Sequence, residues 1–339
     1  MTDAVPAAPG ADAARLPKRL SRAEAVDVVT PVARKSRLQL AWLPWRRRLH
    51  EYVLLTRMHR PIGTLLLLWP VLWALWIAGD GIPDFKVLGV FVLGTFLTRS
   101  AGCVINDFAD RDFDPHVRRT RERPLAARRV SPYEALGLFG VLMLVAFVLV
   151  LQLDALTIRM AVVGAGLAIT YPFFKRFFPA PQLYLGIAFG WGVPMAFAAQ
   201  VGEVPRVGWL IFLVTVTWAG VYDTLYAMVD RDDDRVIGVR STALLFGDMD
   251  RVAIGAMQLI MLWGLWLVGE GLGFGRAYWA GLSVAAVLFG WQQWLARGRE
   301  RDACFEAFLN NNYVGLAIFV GIAAEYALRE KKKKNRSDL

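Results

Sequence analysis

Nine apolar runs constrain this chain more than anything else in it. They fall at roughly 61–79, 85–105, 133–152, 157–174, 182–201, 207–227, 252–269, 277–296 and 312–328. Each approaches the roughly 20 residues that a helix needs to cross the hydrocarbon core of a bilayer. Of the 339 residues, 56% are hydrophobic, well above the share in a soluble domain. Thirty glycines and 13 tryptophans fit close-packed helices with interfacial aromatic anchors. The predicted class is all-α, a polytopic membrane protein with nine transmembrane helices.

The connections between runs alternate in charge. The first, third, fifth and seventh ("GDGIPDF", "LDALT", "GEVPR", "GEGLGFG") carry almost no Lys or Arg. The even ones are basic: Arg118, Arg119, Arg121, Arg123, Arg128 and Arg129, then Lys175 and Arg176, then Arg231, Arg235 and Arg240, then Arg297, Arg299 and Arg301. The positive-inside bias puts the even loops and the N-terminus in the cytoplasm. The net charge of +10 is read the same way, as topology and as attraction for an anionic substrate, not as nucleic-acid binding. Nine crossings leave the basic tail, 329–339, on the opposite side, against the bias. Residues 1–48 lack the apolar core of a signal peptide and are expected to be a cytoplasmic, partly disordered extension. "WRRRLHEYVLL" from Trp45 reads as an interfacial helix feeding the first span. Two cysteines, Cys103 and Cys304, and three histidines, His50, His59 and His116, form no metal or disulfide pattern.

Two acidic segments interrupt this apolar chain. "INDFADRDFD" ends the second run and "DTLYAMVDRDDD" ends the sixth, with DRDFD at 110–114 echoed by DRDDD at 230–234. The echo suggests two similar halves, runs 1–4 and 5–8, with a ninth appended. If each segment continues its helix, Asn106/Asp107, Asp110 and Asp114 share one face, as do Asp223, Tyr226/Ala227, Asp230 and Asp233/Asp234. Asp112 and Asp232 fall off those faces. Carboxylates gathered on one face repel, and a hard divalent cation relieves that. Mg²⁺ prefers few carboxylates, keeps several waters and bridges to phosphates. Two acidic faces across a cavity could thus hold Mg²⁺ around one diphosphate, with Arg119, Arg123 and Lys175 completing the anion cradle. An EF-hand does not fit, since its glycine and glutamate places hold Pro115 and Arg121, or Arg235 and Ser241.

Arg99 lies seven positions before Asn106, on the same face of the second run. An arginine inside a span marks a site; it serves either a structural ion pair or a substrate carboxylate. Arg57 and Arg60 open the first run at that level, and Arg57 is expected to snorkel to headgroups. Tyr171, one turn before Lys175, either lines the same cavity or anchors at the interface. Asn310–Asn312, at the start of the ninth run, are expected to cap a helix.

The two motifs fit the patterns NDxxDxxxD and DxxYAxxDxxDD. In that order they resemble the UbiA-type intramembrane aromatic prenyltransferases. "RMHRPIGTLLLLWPVLWALW", "RSAGCVINDFADRDFDPHVRRTRERPLA", "IGVRSTALLFG" and "FLNNNYVGL" are most similar to the branch acting on 4-hydroxybenzoate. The resemblance covers about 50–328, within an expected transmembrane domain of 49–328. It implies nine transmembrane helices around a central cavity that opens sideways to lipid, Mg²⁺ dependence, a polyprenyl diphosphate donor and a place in ubiquinone biosynthesis at the bacterial inner membrane. It implies metal ligation by Asn106, Asp107, Asp110, Asp114, Asp223, Asp230 and Asp234, with Asp110 and Asp230 essential to catalysis. Diphosphate contacts fall on Arg119, Arg123 and Lys175, and acceptor contacts on Arg99, Arg60 and Tyr171. No nucleic acid and no obligate protein partner are implied. Homogentisate or naphthoate acceptors also carry the carboxylate that Arg99 suits. A CDP-alcohol phosphatidyltransferase would need a DGxxAR start that is absent. A transporter would be expected to place its charges nearer the midplane.

Overall fold

The computed structural model describes residues 45–116, 120–174, 181–237 and 241–337. Among them the chain forms α-helices and short 3-10 turns, with no strand. Trp45–Leu55 folds as a separate helix, α1. All nine apolar runs fall on helices. These are α2 (Ile62–Ala78), α3 (Phe85–Ala109), α4 (Pro132–Val150), α5 (Ala155–Phe174), the pair α6 (Pro181–Gly190) and α7 (Gly192–Val201), α8 (Arg206–Ile237), α10 (Asp250–Gly271), α11 (Arg276–Leu295) and α12 (Arg301–Ser337). A short α9 (Thr242–Phe246) joins α8 to α10. Among the described residues, six segments are long and apolar enough to cross a membrane; Ile62–Ala78 and Ala155–Tyr171 are apolar but shorter.

Local chemistry sets the helix ends. Ser131 and Glu134 form a capping box at α4, with Pro132 at the first helical position where a missing N–H costs nothing. Asp84 accepts from the Lys86 and Val87 amides at the start of α3, at 2.8 and 3.0 Å. Two expectations change. The fifth run is broken at Trp191, because Pro194 has no N–H to give the Gly190 carbonyl. And α12 begins at Arg301, so Asn310–Asn312 lie well inside a helix instead of capping one. The same helix carries the basic tail on as far as Ser337.

Those asparagines fasten the bundle. Asn311 accepts from the Trp218 indole and Asn312 from the Trp69 indole, both at 2.9 Å, while the Trp73 indole donates to the Gly315 carbonyl at 3.1 Å. This seam joins α2, α8 and α12 through the stacked rings of Trp73 and Trp218, 5.3 Å apart. A buried amide ladder ties α10 and α11 to α12: Gln258 donates to Gln292, and Gln292 to Asn310, each at 3.0 Å. Side-chain amides bridge helices in this way where no water is available to satisfy them. Glycines bring α11 and α12 into contact. A Cβ on Gly281 would lie 2.6 Å from the Ala317 carbonyl oxygen. A smaller apolar cluster, including Leu55, Ala101, Val104, Leu125 and Ala135, holds α1 and the 120–131 connection against α3 and α4.

Candidate active site

The first acidic segment is only partly helical. α3 ends at Ala109; the Phe113 and Asp114 amides both bond to the Asp110 carbonyl at 2.8 Å, and a 3-10 turn takes Asp114–His116. The continuous helix expected from the sequence gives way here to turns and a 3-10 helix, in which Pro115 has no N–H to offer the Arg111 carbonyl. The tighter turn still keeps Asn106, Asp110 and Asp114 on one cavity wall. Asp112 points away, 75% exposed, and pairs with Arg111. The second segment stays helical throughout α8. Asp223, Tyr226, Asp230 and Asp234 line the same cavity. Asp232 and Asp233 turn outward to Arg301 at 3.2 and 3.3 Å.

The cavity has a volume of about 970 Å³. Its walls come from α2 to α8, Leu54 and the turn from α1 into α2, Phe113 and Asp114, the 120–124 connection, Ser241, and Phe305 and Phe308 at the start of α12. Among the described residues, α10 and α11 contribute nothing to it. They pack on α8 and α12 instead, so the cavity is bounded by part of the bundle and not by all of it. The two halves suggested by the DRDFD/DRDDD echo are therefore unequal: α4 and α5 line the cavity, while α10 and α11 do not.

Asp107 departs from its expected place among the metal ligands. It is 1% exposed and does not line the cavity. Its Oδ1 accepts from Arg57 at 2.5 Å and from Arg123 at 3.0 Å, and Arg123 also reaches Asp114 at 2.9 Å. One acid thus holds two guanidiniums at the cavity's edge, and one of these bridges to the stripe. Arg57 does not snorkel. It takes a left-handed backbone conformation, φ 55°, in the turn between α1 and α2 and is held inward by Asp107. Burial alone would lower the Arg57 pKa, but Asp107 first, then Tyr226, Asp114 and Asp110, more than offset this and raise it. For Asp114, burial raises the pKa; Arg123 opposes, and Asp107 and Asp110 add to the rise.

Arg99 lines the cavity two helical turns before Asn106, about 10 Å along α3. Among the described residues it forms no salt bridge, and its guanidinium donates to the Cys103 sulfur. Gly63 on α2 makes room for it: a Cβ there would lie within 2.9 Å of the Arg99 guanidinium carbon. Arg60 is exposed at the rim, and Tyr171, Tyr222 and Tyr226 line the wall. Arg119 and Lys175 lie outside the described residues.

The donor chemistry suits magnesium. All the ligating atoms offered are hard oxygens, on two opposing stripes. Among the described residues no three acids, cysteines or histidines form a ready-made cage. Mg²⁺ is usually held by one or two carboxylates plus water and substrate phosphate, so split stripes fit it better than a closed cage would.

Residues 67–317 match the UbiA prenyltransferase family. The chain belongs to that family. A protein of Alkalilimnicola ehrlichii named 4-hydroxybenzoate octaprenyltransferase is 58% identical over 283 residues, covering 84% of this chain and 97% of its own. A protein of the same name from Xanthomonas euvesicatoria is 58% identical over 287 residues, covering 85% and 95%. Among solved structures, a UbiA homologue from Aeropyrum pernix superposes with a TM-score of 0.68 at 26% identity, over 77% of this chain and 97% of that one. A UbiA homologue from Archaeoglobus fulgidus, bound to GPP and Mg²⁺, shares the fold with a TM-score of 0.60 at 16% identity, over 81% and 99%. Family and apolar helices together make this a multi-pass membrane protein.

Proposed function

We propose that the protein transfers a polyprenyl group from polyprenyl diphosphate to the ring of 4-hydroxybenzoate, ortho to the phenol oxygen, in ubiquinone biosynthesis. The observation that carries this is the meeting of two acidic stripes in one cavity, with Arg99 set deeper along α3. Asn106, Asp110 and Asp114 on one wall and Asp223, Asp230 and Asp234 on the other would hold Mg²⁺. Bound Mg²⁺ supplies Lewis-acid stabilisation of charge on the diphosphate oxygens. Arg123, held by Asp107 and Asp114, adds positive charge at the same edge, and Arg119 and Lys175 extend that cradle. Arg99 takes the acceptor's carboxylate, Arg60 guards the rim, and Tyr171 lines the wall on the acceptor's side.

Loss of diphosphate leaves a delocalised allylic cation. The electron-rich ring, anchored through its carboxylate, attacks the cation carbon and then gives up its ring proton. Apolar walls such as Val71, Phe91, Phe147, Leu185 and Met195 exclude water, which would otherwise capture the cation. They also suit the donor's hydrocarbon tail, which explains why the reaction belongs in a membrane.

The proposal extends to topology. The domain spanning 49–328 crosses the bacterial inner membrane nine times, with the N-terminus and both acidic segments in the cytoplasm. The alternation of basic and neutral loops supports this. The extension 1–48 precedes that domain and the basic end of α12 follows it. No obligate protein partner is needed. The test is mass spectrometry of products from purified protein given Mg²⁺, polyprenyl diphosphates and a mixture of aromatic acceptors. A prenylated 4-hydroxybenzoate that disappears with EDTA is expected. Preference for homogentisate or naphthoate would reassign the acceptor, and no product with any acceptor would refute the activity.

A further inference from the structure

Among the described residues nothing takes up the Ser241 hydroxyl. The residue is 5% exposed and lines the cavity. Its Oγ is buried and has no hydrogen-bond partner among the described residues. It stands before α9 without capping it: the side chain makes no cap bond, and only its carbonyl is used, by the Leu244 and Leu245 amides. Buried hydroxyls are rarely left this way, because the lost hydrogen bond to water goes uncompensated. The polar groups of the next residue, by contrast, are satisfied. The Thr242 amide donates to Gln182 at 3.2 Å, and the Thr242 hydroxyl meets the Thr224 hydroxyl at 2.8 Å.

That last contact ties the residue after Ser241 to α8, one position from Asp223, the first acid of the second stripe, and Ser241 and Asp223 line the same cavity. A hydroxyl can turn among its staggered rotamers and can donate to an oxyanion. An oxyanion is the ligand that the adjoining carboxylates require, through the cation they hold. We propose that Ser241 donates a hydrogen bond to a diphosphate oxygen of the prenyl donor, and so belongs to the donor-binding machinery. This rests on the prenyltransferase reading of the cavity.

The test uses full-length protein in detergent and magnesium pyrophosphate as the probe. Calorimetric affinity should fall about tenfold in Ser241→Ala, the usual loss for a hydrogen bond to a charged acceptor. The KM for polyprenyl diphosphate should rise with it, and the KM for 4-hydroxybenzoate should not move. The melting midpoint of Ser241→Ala should not fall, since no described residue bonds the hydroxyl. Equal pyrophosphate affinity in variant and wild type, a change confined to the aromatic acceptor, or a lowered melting midpoint without weaker binding would each overturn the assignment. If the wild type itself binds no magnesium pyrophosphate, the cavity reading fails as a whole, and the role of Ser241 fails with it.

Discussion

Replacing Asp107 by alanine should damage the fold far more than replacing Asp110, three residues further along the same motif. Asp107 is 1% exposed and takes Arg57 at 2.5 Å and Arg123 at 3.0 Å. Removing one partner from a buried pair typically costs about 3–5 kcal/mol, because the remaining charge is left uncompensated. Here the arginine side chains are 23% and 16% exposed, and Arg123 keeps Asp114 at 2.9 Å. The lower end of that range, about 3 kcal/mol, is therefore the expectation. It corresponds to a melting midpoint lowered by roughly 5 °C or more, read by thermal unfolding in detergent. Asp110 faces the cavity among the other acids of its stripe, so Asp110→Ala should keep a melting midpoint close to wild type while losing turnover. A double-mutant cycle of Asp107→Ala with Arg57→Ala should show strong coupling, since most of the cost is Arg57 left unpaired. Asp107→Ala melting with the wild type, or Asp110→Ala melting as low as Asp107→Ala, would refute the reasoning.

Three further outcomes are expected. Gly63→Ala places a methyl group where the Arg99 guanidinium lies; the flexible side chain gives way, so the KM for 4-hydroxybenzoate should rise about tenfold while the fold and the donor KM hold. Asp250, 0% exposed, joins Arg231 at 3.1 Å to Arg299 at 2.9 Å, and Asp250→Ala should lower the melting midpoint by an amount corresponding to about 3–5 kcal/mol. Asp154 caps α5; slight burial raises its pKa, but the Thr157 hydroxyl and amide and the Leu156 amide outweigh that and depress it. Its contribution to stability, about 1 kcal/mol, is thus present above the ordinary aspartate pKa of about 3.9 and lost as pH falls through the depressed value; a melting difference from Asp154→Ala that persists at the acid end would contradict this.

Much of the site was legible because helical periodicity is local. Spacing alone separates Asp110 and Asp114 from Asp112, and Asp230 from Asp232, and the structure places them accordingly. Spacing cannot choose between neighbours such as Asn106 and Asp107, about 100° apart on a helix. That choice is made by Arg57, 50 residues earlier, through a left-handed turn that the sequence does not announce. Asn310–Asn312 were misplaced for the same reason: their partners, Gln292, Trp218 and Trp69, lie on three other helices. Arg299 and Arg301 read as topology alone, yet they fasten Asp250, Asp232 and Asp233. The break at Trp191 was detectable, since Pro194 signals it from three residues away.

The central claim is that two separate acidic stripes build one site. It is tested most directly by Mg²⁺-dependent turnover of four single variants measured side by side. Asp110→Ala and Asp230→Ala, from opposite walls, should each lose at least about a hundredfold, as expected for removing a group that stabilises transition-state charge. Asp112→Ala and Asp232→Ala, which point away from the cavity, should stay within a few-fold of wild type. Equal losses at all four positions, or full turnover without the acid on either wall, would contradict the account.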